Sequence, residues 1–166
     1  ARLSDPQEVV CEDRAVILAA FRGDEFRQIG DTPVGESGDD FFRAFLGERL
    51  TFTCAHFDSP ADSLESAGEQ MNARICDKIG LRASHRVLEV GCGWGTFVSH
   101  VVATRGAECV GTTLSRAQEI HANRRFAELG IERQARTLLL DYRDLPQGSF
   151  DRIVCIEAVE RVGVKN

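Results

Sequence analysis

From Leu88 to Gly95 the chain reads Leu-Glu-Val-Gly-Cys-Gly-Trp-Gly, an apolar strand-forming run that passes straight into three glycines at alternate positions. Glycine is required where the backbone turns with positive φ, or where a ligand approaches the main chain more closely than a Cβ permits. A buried strand entering such a turn and then a helix fits a nucleotide-like ligand held at the carboxyl edge of an α/β sheet. The dinucleotide pattern G-x-G-x-x-G is not met, because the third glycine, Gly95, comes one place early and Thr96 follows.

The segments around the loop support that sheet. Short apolar runs at Arg86 to Val90, Cys109 to Leu114, Thr137 to Leu140 and Phe150 to Ile156 read as buried parallel strands. They alternate with helices predicted from about Trp94 to Thr104 and from Ser115 to Leu129, the second ended by Gly130. Strand and helix in alternation predict a doubly wound, Rossmann-like α/β core with right-handed crossovers and strand order 3-2-1-4. The second strand ends Thr113-Leu114-Ser115 with no carboxylate, so Thr113 and Gln118 are the neutral groups offered to a ligand's hydroxyls, with Ser115 and Gln118 also able to form a capping box.

Upstream, Leu64, Met71, Ile75 and Ile79 recur at helical spacing over 62–79, with a capping box of Asp62 and Glu65 at the start and Gly80 at the end. Residues 1–60 read as helices and loops forming an N-terminal cap, and residues 61–166 as the core. Ser4, Asp5 and Pro6 are expected to start a first helix carrying Val9, Val10, Val16, Ile17 and Phe21, and Gly23 to end it. A loop over Gly30 to Gly38 then leads to a short helix from Asp39 or Asp40 that buries Phe41, Phe42, Phe45 and Leu46.

With 166 residues, 43% hydrophobic and 28% charged, the chain has the make-up of about one globular domain. Acidic residues outnumber basic ones by 26 to 20 with no basic stripe, so no nucleic-acid partner is expected. The six cysteines form no C-x-x-C pair and no histidine stands at metal spacing, which argues against a metal site and a disulfide framework and for a reducing cytosol. No apolar run approaches the ~20 residues of a membrane span, and the first residues lack a secretory pattern.

Five segments occur together with the glycine loop at Gly91: Phe41-Phe42-Arg43-Ala44-Phe45-Leu46, Phe52-Thr53-Cys54-Ala55-His56-Phe57, Gly111-Thr112-Thr113-Leu114-Ser115-Arg116-Ala117-Gln118, Asp141-Tyr142-Arg143-Asp144-Leu145 and Ile156-Glu157-Ala158-Val159-Glu160-Arg161-Val162-Gly163. In order and spacing they resemble the cyclopropane-fatty-acid synthase family, which includes mycolic-acid cyclopropane synthases and related fatty-acid methyltransferases. The resemblance covers about residues 39–166 and implies a class I methyltransferase core that uses S-adenosylmethionine. It assigns Gly91, Cys92, Gly93 and Gly95 to the methionine part of that cofactor, Thr113, Leu114 and Gln118 to the ribose side, and Asp141, Tyr142 and Arg143 to the adenine. Phe52 and Thr53 are expected to close over it. Glu160 would hold a bicarbonate base with Cys54 nearby, making these two the catalytic candidates.

The implied reaction adds a methyl(ene) group to the double bond of an unsaturated fatty-acyl chain. The alternatives are methylation of N, O or C on a small natural product, or an inactive cofactor-binding or interaction subunit. Further expectations are peripheral contact with the inner membrane face, and a homo-oligomer or a completing chain. The family's His-Tyr-Asp segment is replaced by Val34-Gly35-Glu36, its Tyr-Ser-Cys tyrosine by Phe52, and the histidine after the site glutamate by Arg161. A complete methyltransferase sheet has seven strands against the four read here, so the fourth strand is expected to carry an open outer edge.

Overall fold

A computed structural model describes residues 8–11, 14–19, 38–145, 148 and 150–158. Six strands form one sheet: β1 (Glu8–Cys11), β2 (Arg14–Ala19), β3 (Arg86–Val90), β4 (Glu108–Thr113), β5 (Ala135–Leu139) and β6 (Arg152–Ile156), in the order β1-β2-β6-β3-β4-β5. The stretch β5-β4-β3-β6 is parallel throughout and is the predicted 3-2-1-4 order. The bounds of β3 are the expected ones, and those of β4, β5 and β6 differ by at most two residues at either end, as strand ends set by hydrogen bonding rather than hydropathy do.

The amino-terminal expectation is corrected. Residues 8–19 lie in two strands, not in a helix: β1 and β2 pair antiparallel with Cys11 opposite Arg14, and β2 runs parallel to β6 from Ala15 opposite Arg152 to Ala19 opposite Ile156. Val9, Val10, Val16 and Ile17 are β-branched and suit a strand better than a helix. Pairing here satisfies backbone groups along the outer edge of β6 that would otherwise be open, so that edge is covered within this chain. The expected helix boundaries at Ser4 to Pro6, Phe21 and Gly23, and nearly all of the loop before Gly38, lie outside the described residues.

The helices follow the pattern more closely. Helix α1 (Gly38–Leu46) buries Phe42, but Phe45 is half exposed, because a nine-residue helix turns only one face to the rest of the molecule. Helix α2 (Leu64–Lys78) is capped by Ser63, whose hydroxyl accepts from the Ser66 amide, and not by Asp62 with Glu65. Asp62 instead accepts from the Ser59 amide and the Gln70 side chain, while Leu64 lies largely exposed ahead of the buried Met71 and Ile75. Helices α3 (Thr96–Arg105) and α4 (Arg116–Glu128) are the two crossovers. Ser115 caps α4 through the Gln118 amide, but the Gln118 side chain turns elsewhere and leaves the capping box half made.

The core joins Val87, Cys109, Ala135 and Val154 of the strands to Met71, Ile75, Phe97, Val98, Val101 and Phe126 of the helices. One strand glycine sets the site's floor: a Cβ on Gly111 of β4 would lie 2.5 Å from Sγ of Cys92, which sits beside the Thr137 hydroxyl. Gly111→Ala is therefore expected to destabilise the fold by about 1–3 kcal/mol, the usual cost of overpacking a filled core. Thermal unfolding checks this, and an unchanged melting temperature would mean the loop after β3 has room to shift.

Candidate cofactor site

Strand β3 delivers the glycine loop to the carboxyl edge of the sheet, where a cavity of about 810 Å³ opens over it. That volume lies in the range of small-molecule and cofactor sites. Two of the loop's glycines serve different ends. Gly95 has φ 79, and a Cβ there would meet Phe126 Cζ at 2.7 Å and Ala122 Cβ at 2.9 Å, so it is a glycine because α3 and α4 meet at that point. Gly93 has φ 53 and nothing within 4 Å of the place a Cβ would take; it lines the cavity and leaves the main chain bare toward it.

Of the residues assigned from sequence, Phe52, Thr53, Gly91, Cys92, Gly93, Thr113, Leu114, Gln118, Asp141, Tyr142 and Arg143 all line this cavity. Gly95 lies outside the lining, as its contact with α4 requires. Cys92 contributes to the wall, but its thiol is buried between Gly111 and Thr137, and burial raises its pKa far above the usual thiol value. Cys54 is exposed and does not line the cavity; its backbone N–H donates to Glu157 Oε1 at 3.3 Å. Glu160 and Arg161 lie outside the described residues.

The far wall is preorganised by hydrogen bonds. The Thr113 hydroxyl donates to Gln118 Oε1 at 2.7 Å and accepts from the Ser115 amide at 3.1 Å, which locks both neutral side chains at the end of β4. Asp141 caps a short 3-10 turn (Tyr142–Asp144) by accepting from the Arg143 amide, and its two oxygens grip the Arg143 guanidinium at 2.9 and 2.7 Å. Those bonds hold the Asp141 carboxyl at a pKa of about 2.

The near wall comes from the segment that follows α1, packed against α1 itself. Trp94, the middle residue of the loop's last Gly-Trp-Gly, packs its ring 4.7 Å from that of Phe42 at a tilt of 52° and meets Phe52 edge-on at 6.3 Å. The Thr96 hydroxyl donates to the Arg49 carbonyl at 2.6 Å. The glycine loop and this near wall are thus packed as one unit. This role of Trp94 was not read from the sequence, where a lone tryptophan between glycines gives no periodic signal.

Glu89 was also missed as a site residue. Its carboxyl is almost fully buried at 4% exposure, faces the cavity, accepts from the Val98 backbone amide, and keeps Oε2 without a partner. The available signal was a charged residue between Leu88 and Val90, inside the apolar run that follows Arg86. Thr53 Oγ1 is likewise buried without a partner on the same cavity. Two orphaned polar atoms beside a bare stretch of main chain are what a polar, partly cationic ligand would satisfy.

Burial lifts the Glu89 pKa from its ordinary 4.5 to about 8. Between these values the folded chain keeps a proton that the unfolded chain has released, so this carboxyl's effect on stability is most favourable at low pH and worsens as pH rises toward 8. The slope is about 1.4 kcal/mol per pH unit for this one group. Glu89→Gln should flatten that decline in urea titrations at pH 5 to 8, whereas an unchanged slope would show that water reaches the carboxyl.

Comparison with known proteins gives a consistent picture. The family model described as mycolic acid cyclopropane synthetase matches residues 35–166. The chain is 38% identical over 155 residues to sphingolipid C9-methyltransferase A of Emericella nidulans, covering 90% of this chain and 30% of that protein. It is 38% identical over 129 residues to the cyclopropane-fatty-acyl-phospholipid synthase of Escherichia coli, covering 78% and 32%. It also superposes on the mycolic acid cyclopropane synthase CmaA1 complexed with SAH and CTAB with a TM-score of 0.74 at 34% identity, covering 78% of this chain and 45% of that one. The chain thus spans about a third of the length of these curated relatives.

Proposed function

Because the chain belongs to the mycolic acid cyclopropane synthetase family, we propose that its cavity binds S-adenosylmethionine and that the protein transfers the cofactor's methyl group to the double bond of an unsaturated acyl lipid. The observation that carries this reading is the set of unsatisfied groups on one cavity: Glu89 Oε2, Thr53 Oγ1 and the bare backbone at Gly93. The cofactor would supply an electrophilic sulfonium methyl. Gly91 and Gly93 would admit its methionine part, Thr113 and Gln118 its ribose, and Tyr142 its purine by stacking, with Asp141 and Arg143 fixing the turn that presents Tyr142.

The chain's own residues would then exclude water and hold the acceptor in line. Phe42 and Phe52 pack with Trp94 of the glycine loop into an apolar cluster, which suits attack by an alkene, a nucleophile too weak to compete with water in an open site. Loss of one proton after transfer leaves the lipid one CH₂ heavier. The resemblance assigns the handling of that proton to a bicarbonate held by Glu160, with Cys54 close by; the Cys54 thiol, its pKa raised first by partial desolvation and then by Glu157, stays protonated and is a poor base itself.

A sphingolipid acceptor is a second reading, favoured by the similarity to sphingolipid C9-methyltransferase A over 90% of the chain. The test is incubation with methyl-labelled S-adenosylmethionine and vesicles carrying either unsaturated glycerophospholipid or unsaturated sphingolipid, followed by mass analysis. A CH₂ gain in glycerophospholipid acyl chains supports the first reading, and a gain in sphingolipid the second. Label confined to a non-lipid acceptor, or no transfer at all, would contradict both.

A further inference from the structure

Two non-glycine residues, Leu50 with φ 53 and Glu157 with φ 47, adopt the left-handed conformation among the described residues, and both line the cavity. That conformation is unfavourable for any residue with a Cβ and persists where the surroundings over-determine it. At the end of β6 a neighbouring constraint is visible: Ala158 presses so closely on the glycine loop that a Cβ on Gly91 would lie 2.7 Å from its own. The chain turns at Glu157 under this constraint, and the turn brings Oε1 to the Cys54 backbone N–H at 3.3 Å, across 103 residues of sequence. The segment from Phe52 to Cys54 is therefore held at one end by Phe52 against Trp94 and at the other by the Glu157 carboxylate.

We propose that Glu157 is a positioning residue, a latch that closes Phe52–Cys54 over the cavity by accepting from the Cys54 amide; its effect on the cofactor rests on the cavity being the S-adenosylmethionine site. The role needs an acceptor oxygen at this position, and it is maintained at the expense of backbone strain. Removing the side chain while relieving the strain should therefore loosen the lid without weakening the fold.

Glu157→Gly does both, because glycine adopts positive φ freely, whereas Glu157→Gln keeps the acceptor. Hydrogen exchange of the Cys54 amide in ligand-free protein should show protection in the native chain and in Glu157→Gln, and loss of it in Glu157→Gly. S-adenosylhomocysteine should bind Glu157→Gly about tenfold more weakly, chiefly through faster release, with melting temperature unchanged or raised and Glu157→Gln within about twofold of the native chain. Equal Cys54 protection in all three proteins, or a Glu157→Gly variant that loses stability and affinity in step, would overturn the latch. If the native chain does not bind S-adenosylhomocysteine, the cofactor reading fails, and the exchange measurement alone still decides the latch.

Discussion

Gly93→Val is expected to weaken S-adenosylmethionine binding by about 100-fold or more. Two effects combine. The valine must adopt φ 53, which costs an L-residue about 1–2 kcal/mol. Its branched side chain also enters space that nothing in the protein occupies within 4 Å, and that space is where the cofactor's methionine part would lie. Strain common to the free and bound protein lowers stability rather than affinity, and a free loop that relaxes from it loses at most about 30-fold at 1.4 kcal/mol per decade, so the larger loss is the signature of a ligand in contact. Calorimetry on the two proteins measures it, with melting temperature as the control. Gly95→Ala, whose Cβ would strike Phe126 and Ala122 instead, should lower stability first, and cofactor affinity only as far as the fold is lost.

Glu160→Gln is expected to lower kcat by about 10²–10⁴-fold with little change in cofactor affinity. The substitution keeps the shape and removes the charge that would orient a base acting after methyl transfer, and general-base contributions are of that size. If Glu160 is instead a structural partner of Arg161, melting temperature and affinity should fall together while turnover per folded molecule is kept. Measuring all three on one preparation separates these outcomes, and full turnover in the Gln variant would remove Glu160 from the catalytic set.

The parallel core was legible because its strands are continuous apolar runs and its helices are punctuated by Ser115, Gly80 and Gly130, each of which acts locally. The amino-terminal strands were not, because the spacing of Val9, Val10, Val16 and Ile17 also fits one face of a helix despite their β-branching, and the edge of β6 that pairs with them lies more than 130 residues away in sequence. That the glycine loop, Thr113 and Gln118 share one crevice was legible from motif and spacing, and the Asp141 turn joined them through the family resemblance; all of these but Gly95 line the cavity. Glu89 and Glu157 were not identified: the first gave a signal only as a charge inside an apolar run, and its burial confirms it, while the second is distinguished by a backbone conformation that side-chain pattern does not reveal.

The central claim is that this cavity is the S-adenosylmethionine site. A crystal structure of the protein with S-adenosylhomocysteine tests it most directly. The account predicts density running over Gly93, past Thr113 and Gln118 to Tyr142, with the ligand meeting Glu89 and Thr53 and the Phe52–Cys54 segment closed over it; a ligand bound elsewhere, or a cavity without ligand at saturating concentration, would contradict it.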